Sequence, residues 1–403
     1  MSRMRRELPP TAGLPLRLPD LLPRRARFAA QLAGWLGVAQ PQLECSGTAA
    51  MVVALHAMHR LRPQRDEVVV PAWTCPLVAL AIHRAGLKLK LCDLAPGSID
   101  MDAAQLRALC GPRTLAIVPT HLAGRVVDVP AAMAIARGCG AYVLEDAAQA
   151  LGARSGGASV GLQGDAGFFS LAVGKGLTLY EGGVLIARDA VLREAFMASR
   201  REVIRSSLRW SLQRAAELLG YAVAYRPSLL YAVYGKPLRE ALAEGDPVAA
   251  VGDDFGPDIP LHPLGRWRQG VGTAAFARLP AFLDFTRKQA LSRLDALRAL
   301  PGVTVFDDAP GTQGAWPFLL LTLPTAAARD AALGTLWTAG LGVSRLFIHA
   351  LPDYGYLRDI VPATELPNAR DFAARSLTIG NSPWLRGDEF ARIVDTLRRT
   401  LRG

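Results

Sequence analysis

Lysine is scarce in this chain: of 46 basic residues, only Lys88, Lys90, Lys175, Lys236 and Lys288 are lysines. Chemistry that needs a free amine is therefore confined to five side chains, because arginine stays charged. The five cysteines, Cys45, Cys75, Cys92, Cys110 and Cys139, form no C-x-x-C pair and no zinc-ligand spacing. Their odd number and strand-like settings read as reduced thiols of a cytoplasmic protein, and no metal site is expected. No window reaches the roughly 18 apolar residues of a membrane-spanning helix. A secretory signal is also missing, because seven arginines and Pro9, Pro10, Pro15, Pro19 and Pro23 interrupt the first 27 residues. The net charge of +11 comes with no aromatic-interleaved basic stripe, so nucleic acid is not an expected partner. Anionic small molecules or an anionic membrane surface account for it equally well.

What is present is a chain of 403 residues, 51% hydrophobic, large enough for about two or three domains around a sizeable core. From residue 44 to about 188, β-rich runs alternate with helical spacing. EVVVP at 67–71, LKLKLCD at 87–93, TLAIVPTH at 114–121 and AYVLEDA at 141–147 read as buried strands. Helices are expected at 49–60, 76–85, 102–110 and 130–137, and two further strands at 167–171 and 183–187. Such alternation predicts an α/β fold with a mostly parallel central sheet flanked by helices. Ligands in these sheets sit beyond the C-terminal strand ends, where Thr74, His121 and Asp146 fall. Residues 196–255 break the alternation with a long helical insertion and a Gly/Asp/Pro-rich linker. After it, one long helix over 270–300, short strands and a terminal helix over 388–401 predict a smaller α+β domain. The expected division is a large domain over 1–255, with a basic Pro-rich arm at 1–28, and a small domain over 256–403.

Three segments carry chemistry. Lys175 sits between Gly174 and Gly176 just after a strand, an odd place for a surface charge. Glycines permit close approach of a ligand, and a Schiff-base lysine needs a partly desolvated pocket. The plain alternative is an ordinary loop lysine, although the other four lysines have unremarkable settings. Asp146 follows a buried strand, where a carboxylate can face the ring nitrogen of pyridoxal phosphate (PLP); capping the next helix is the alternative. Ser46, Gly47 and Thr48 open a helix and offer a phosphate cradle, or a simple N-cap.

In chain order, SGTAA, PAWTCP, HLAG…D, EDAAQA and GDAGFFSLAVGKGL…EGG closely resemble the DegT-type family of sugar aminotransferases. These are fold-type I PLP enzymes acting on nucleotide-linked ketosugars. The resemblance covers residues 44–190 well and continues more loosely through GRWRQGVGTAAFARL at 265–279. It implies Lys175 as the Schiff-base lysine and Asp146 as partner of the pyridine nitrogen. It also implies Gln149 against the ring or its phenolic oxygen, and Gly47, Thr48 and Ser170 around the phosphate. A homodimer with shared active sites is implied, and so are a sugar-nucleotide acceptor and an amino-acid donor, glutamate being expected. Two positions depart from the pattern. Cys75 stands where the family has a ring-stacking aromatic, so either Trp73 takes over the stacking or the thiol edge of Cys75 replaces it, and the rival to stacking by Trp73 is that its ring points into the core. Arg266 stands where the family has Asn, and is expected to keep the phosphate contact with a charge. A dehydratase of the same fold commonly has His in place of the lysine; it and a non-catalytic regulator are the alternatives.

Within 196–255, Ile204, Leu208, Leu212, Ala215, Leu219 and Val223 recur at spacings of three and four, flanked by Arg201, Arg205 and Arg209. Residues 228–235 (SLLYAVYG) add a second apolar run with tyrosines. A basic amphipathic segment of this kind either packs on the protein itself or across a dimer, or gives peripheral membrane contact through 203–235.

Overall fold

The computed structural model describes residues 6–402. Its centre is a seven-stranded sheet in the order Gln42–Glu44, Gly183–Ala187, Ala166–Ser170, Tyr142–Asp146, Thr114–Ile117, Glu67–Pro71, Lys88–Cys92. The last five strands of that order pair in parallel, and the two pairings at the Gln42–Glu44 edge are antiparallel. Val68, Val69, Val70, Ala116, Ile117, Val143 and Leu144 are all buried, as expected of parallel strands covered on both faces by helices. The expected strands and helices of 44–188 are present, with ends shifted by a few residues.

A second sheet of four antiparallel-paired strands, ordered Thr304–Val305, Phe318–Thr322, Ser376–Gly380, Val343–Ser344, forms the smaller C-terminal unit. The expected single helix over 270–300 is in fact two, Arg266–Phe276 and Leu279–Arg298. Pro280 explains the break: in a continuous helix its ring would collide with the Phe276 carbonyl and its missing N–H would orphan it.

The arm joins both sheets. Leu8 is buried among the small-sheet core residues, its N–H donating to the Gly340 carbonyl at 3.0 Å. A few residues on, Ala12 N–H donates to Pro317 O at 2.7 Å and Leu14 N–H to Gly176 O at 2.6 Å, so the arm runs past the Lys175 loop. Arg3 and Arg5 of the expected basic arm lie outside the described residues.

The insertion is helical but interrupted. One helix ends at Val203, Ile204 is buried, and a second helix, Leu208–Ala224, starts after Ser207, whose Oγ accepts the Trp210 N–H at 3.3 Å. The single helical face running from Ile204 through Val223 is thus corrected to one that begins at Leu208. Among the described residues no helix is long and apolar enough to cross a membrane.

Candidate active site

The strand Tyr142–Asp146 delivers two adjacent carboxylates to opposite faces, as a pleated strand must. Glu145 is fully buried and takes the His121 ring at 2.9 Å and the N–H groups of Gly161, Gln163 and Gly164 at 2.7 Å each. Burial pushes Glu145 up, but His121 and these donors outweigh it and hold the carboxyl below its ordinary value. This knot fixes the strand end. Asp146 emerges beside it, with its N–H on Pro119 O and its carbonyl accepting the His121 N–H, each at 2.9 Å.

Asp146 is 4% exposed, and only its Oδ1 has a hydrogen-bond donor, the Ala148 N–H at 3.0 Å. Burial raises its pKa, opposed by that N–H, Lys175 and His121. A buried carboxylate left short of positive charge suits a cationic ring nitrogen at its open oxygen. The Lys175 side-chain amine lies within electrostatic reach of Asp146 and makes no hydrogen bond or ion pair among the described residues. Burial lowers its pKa, against the pull of Cys75, Asp146 and Asp253, which favours the free amine. Gly174 and Gly176 flank it at φ of 75° and 81°, left-handed conformations that cost a side chain dearly. Any Cβ at Gly174 would also strike Thr11 Oγ1.

The expected phosphate residues converge. Ser46 caps the helix Gly47–Leu61, its Oγ accepting the Ala49 N–H at 3.0 Å, so that Gly47 and Thr48 form the helix N-terminus. A Cβ on Gly47 would sit 3.1 Å from the Ser170 Cβ, a tight fit that shows how closely the helix N-terminus approaches Ser170. Gln149 lines a small cavity with Lys175; its Oε1 accepts the Ala123 N–H at 2.8 Å, leaving the amide nitrogen to donate inward. A carboxylate, an amine and a helix N-terminus in this arrangement fit the ring, aldehyde and phosphate of PLP.

Two expected residues do not join this group. Trp73 is fully buried, its ring packed against Phe372 at 4.7 Å and Phe347 at 5.3 Å between centroids. Stacking by Trp73 is therefore corrected to the core placement, its ring being packed with those of Phe347 and Phe372 away from solvent. Cys75, within reach of Lys175, Asp146 and Asp253, faces the site as a neutral thiol pushed up to about 12 chiefly by burial. Arg266 is exposed at the start of the helix Arg266–Phe276 with no partner among the described residues. Arg268, two residues on and facing inward, is buried and donates to the carbonyl of Glu181 at 2.8 Å.

One group was not foreseen. Asp253, from the Gly/Asp-rich linker, is 5% exposed and accepts the Tyr354 hydroxyl at 2.7 Å and the Ile348 N–H at 3.2 Å. Burial raises it to about 6, and Lys175 is among the charges that lower it. The only sequence signal was an acid pair, Asp253–Asp254, in a linker.

The DegT/DnrJ/EryC1/StrS aminotransferase family model matches residues 21–223 and 268–398. The UDP-N-acetyl-3-dehydro-alpha-D-glucosamine 3-aminotransferase of Acidithiobacillus ferrooxidans is 29% identical over 93% of this chain and 88% of its own length. The structure of DesI with its TDP-sugar product superposes with a TM-score of 0.75 at 22% identity, covering 98% of this chain and 93% of that one. Helicobacter pylori PseC, an aminotransferase of pseudoaminic acid biosynthesis, gives 0.75 at 17% identity over 98% and 99%. With both the sheet domain and most of the C-terminal unit matched, this chain belongs to the DegT/DnrJ/EryC1/StrS aminotransferase family.

Proposed function

We propose that this chain transfers an amino group from an amino acid, glutamate being the expected donor, to a keto group of a nucleotide-linked sugar, with PLP held at Lys175. The observation that carries the reading is the meeting of Lys175 and Asp146 beside the Gly47–Ser170 cradle. The sugar-nucleotide acceptor rests on the relative from Acidithiobacillus, whose name specifies a UDP-linked 3-dehydro sugar.

When bound, PLP supplies a carbonyl that links to amines and a pyridinium ring that withdraws electrons from the linked carbon. The chain's own residues do the rest. Asp146 holds the proton on the ring nitrogen through its open oxygen. Gly47, Thr48 and Ser170 receive the phosphate on N–H and hydroxyl groups at a positive helix end. Gln149 donates its amide to the phenolic oxygen. Lys175 Nζ, when not bound to the cofactor, would take a proton from one carbon and return it to another, a role that the lowering of its pKa by burial favours. Cys75 offers the ring a polarisable edge in place of an aromatic face. Asp253, positioned by Tyr354, places a second negative charge near Lys175. Two copies sharing their sites would bring Arg266 to the partner's phosphate.

The lysine at position 175 favours transamination over dehydration. The test is a donor and acceptor screen with purified protein and PLP, following loss of the visible absorption of the lysine-bound cofactor with each amino acid. Recovery of that absorption is then followed with UDP-linked keto sugars. Loss with glutamate and recovery with a keto sugar support the reading. Loss without recovery by any nucleotide-linked sugar removes the acceptor class.

A further inference from the structure

The helix Leu208–Ala224 has two apolar faces. Its inner face, Leu218, Tyr221 and Ala222, is buried against Leu14, Leu16 and Tyr225. Its outer face carries Leu208, Leu212, Leu219 and Val223, which are 75%, 63%, 46% and 56% exposed. At about 100° per residue these four fall within roughly 60° of one another, a single stripe on a helix about 25 Å long. Leu229 and Val233, in the segment that follows the helix, are exposed too, at 38% and 59%. Six of the thirteen large hydrophobic side chains exposed among the described residues thus lie between 208 and 233. A helix apolar on both faces is normally covered on both, and a patch of this kind marks an interaction surface.

Charge says what covers it. Arg205, Arg209 and Arg226 are exposed beside the stripe and have no ion-pair partner among the described residues. The one acid between 204 and 233, Glu217, is already bound inward by Arg214 at 2.7 Å. Two copies meeting through this face would be related by a two-fold axis and would set arginine against arginine with no acid to answer. We propose that residues 205–233 seat this enzyme on an anionic lipid bilayer, the leucines and valines entering between headgroups and the arginines meeting lipid phosphates.

The whole chain, loaded with PLP, is floated with vesicles of phosphatidylcholine mixed with phosphatidylglycerol, and with phosphatidylcholine alone. Flotation with the mixed vesicles at low salt, released by high salt and weak on phosphatidylcholine, is expected. The double variants Leu212→Asp/Leu219→Asp and Arg205→Glu/Arg209→Glu should each lower the bound fraction by about tenfold or more. Both replace exposed side chains outside the group assigned to the cofactor, so thermal stability and turnover on soluble substrates should be unchanged. Absence of flotation at low salt overturns the proposal, as does flotation that neither variant alters. A smaller oligomer on sedimentation of the leucine variant, with flotation unaffected, overturns it in favour of contact between copies.

Discussion

The Tyr354 hydroxyl donates to Asp253 Oδ2 at 2.7 Å, tying a linker carboxylate to the C-terminal unit at a point where it faces Lys175 and Cys75. The arrangement is costly. Burial raises Asp253 from 3.8 to about 6, so the folded chain holds that proton more tightly than the unfolded one. Ionised Asp253 therefore lowers stability above about pH 6, by up to about 3 kcal/mol, and the cost fades as pH falls towards 3.8.

Asp253→Asn should accordingly flatten the fall in stability between those pH values and leave the protein as stable or more stable near neutrality. Turnover should fall at the same time, because the charge near Lys175 is gone. Denaturant titrations across that pH range, with kcat and KM at neutral pH, check this. A variant that is strongly destabilised at neutral pH would mark the carboxylate as structural.

Lys175→Ala should abolish covalent PLP attachment and turnover, with no borohydride-trapped lysine adduct, since all four other lysines have an acid partner. Lys90 pairs with Glu67 at 2.7 Å, Lys288 with Asp284 at 2.7 Å, Lys88 with Asp66 at 3.0 Å and Lys236 with Glu240 at 3.6 Å. Asp146→Asn should still trap the adduct but lose about a hundredfold to a thousandfold in turnover, as expected for a preorganised charge. Mass mapping of the borohydride-reduced peptide and steady-state rates separate the two effects.

Trp73→Ala should act on stability, costing about 3–5 kcal/mol as the removal of a large core side chain does. The folded fraction should bind PLP as before, which an equilibrium titration of the refolded protein reads out. Cys75 should resist iodoacetamide near neutral pH even without PLP, because a thiol pushed up to about 12 supplies almost no thiolate. Rapid labelling at Cys75 would show that the site is wetter than its packing implies.

The sheet was legible because its strands are short continuous β-branched runs, such as Val68–Val70, bounded by turn residues. Lys175 and Asp146 were legible because glycines and strand ends are local signals. Asp253 was not, since its partner Tyr354 is 101 residues away and the linker pattern around it reads only as a turn. Trp73 shows a different limit: periodicity leaves two faces open, and only the packing of Phe347 and Phe372 decides between them. The direction of the 208–223 stripe was undecidable for the same reason. The strand Ser376–Gly380, central to the small sheet, was hidden because its polar Ser376 and Thr378 broke the apolar run.

Arg266 and Arg268 stand two residues apart with opposite fates, which makes sharing of active sites between two copies directly testable. Arg268 is buried under carbonyl acceptors and serves its own chain, whereas Arg266 is exposed at a helix N-terminus with no partner among the described residues. An arginine kept there is best used on an anion brought by another molecule, and a phosphate in a partner's cradle is such an anion. Arg266→Ala should then weaken PLP retention by about tenfold to a hundredfold, the loss of roughly one charge-assisted contact, without lowering stability. The decisive measurement mixes an inactive chain with one that retains PLP poorly, at limiting PLP. Co-expressed Lys175→Ala and Arg266→Ala should assemble mixed dimers in which one site has both an intact lysine and an intact partner arginine. That site should regain near-normal PLP affinity, and activity should rise well above either variant alone. If the arginine acted within its own chain, the mixed dimer would also hold one site with both residues intact only when both mutations fell in the same copy. A double variant carrying both mutations, paired with wild type, distinguishes the two cases: shared sites leave it without a complete site, and unshared sites leave it half active.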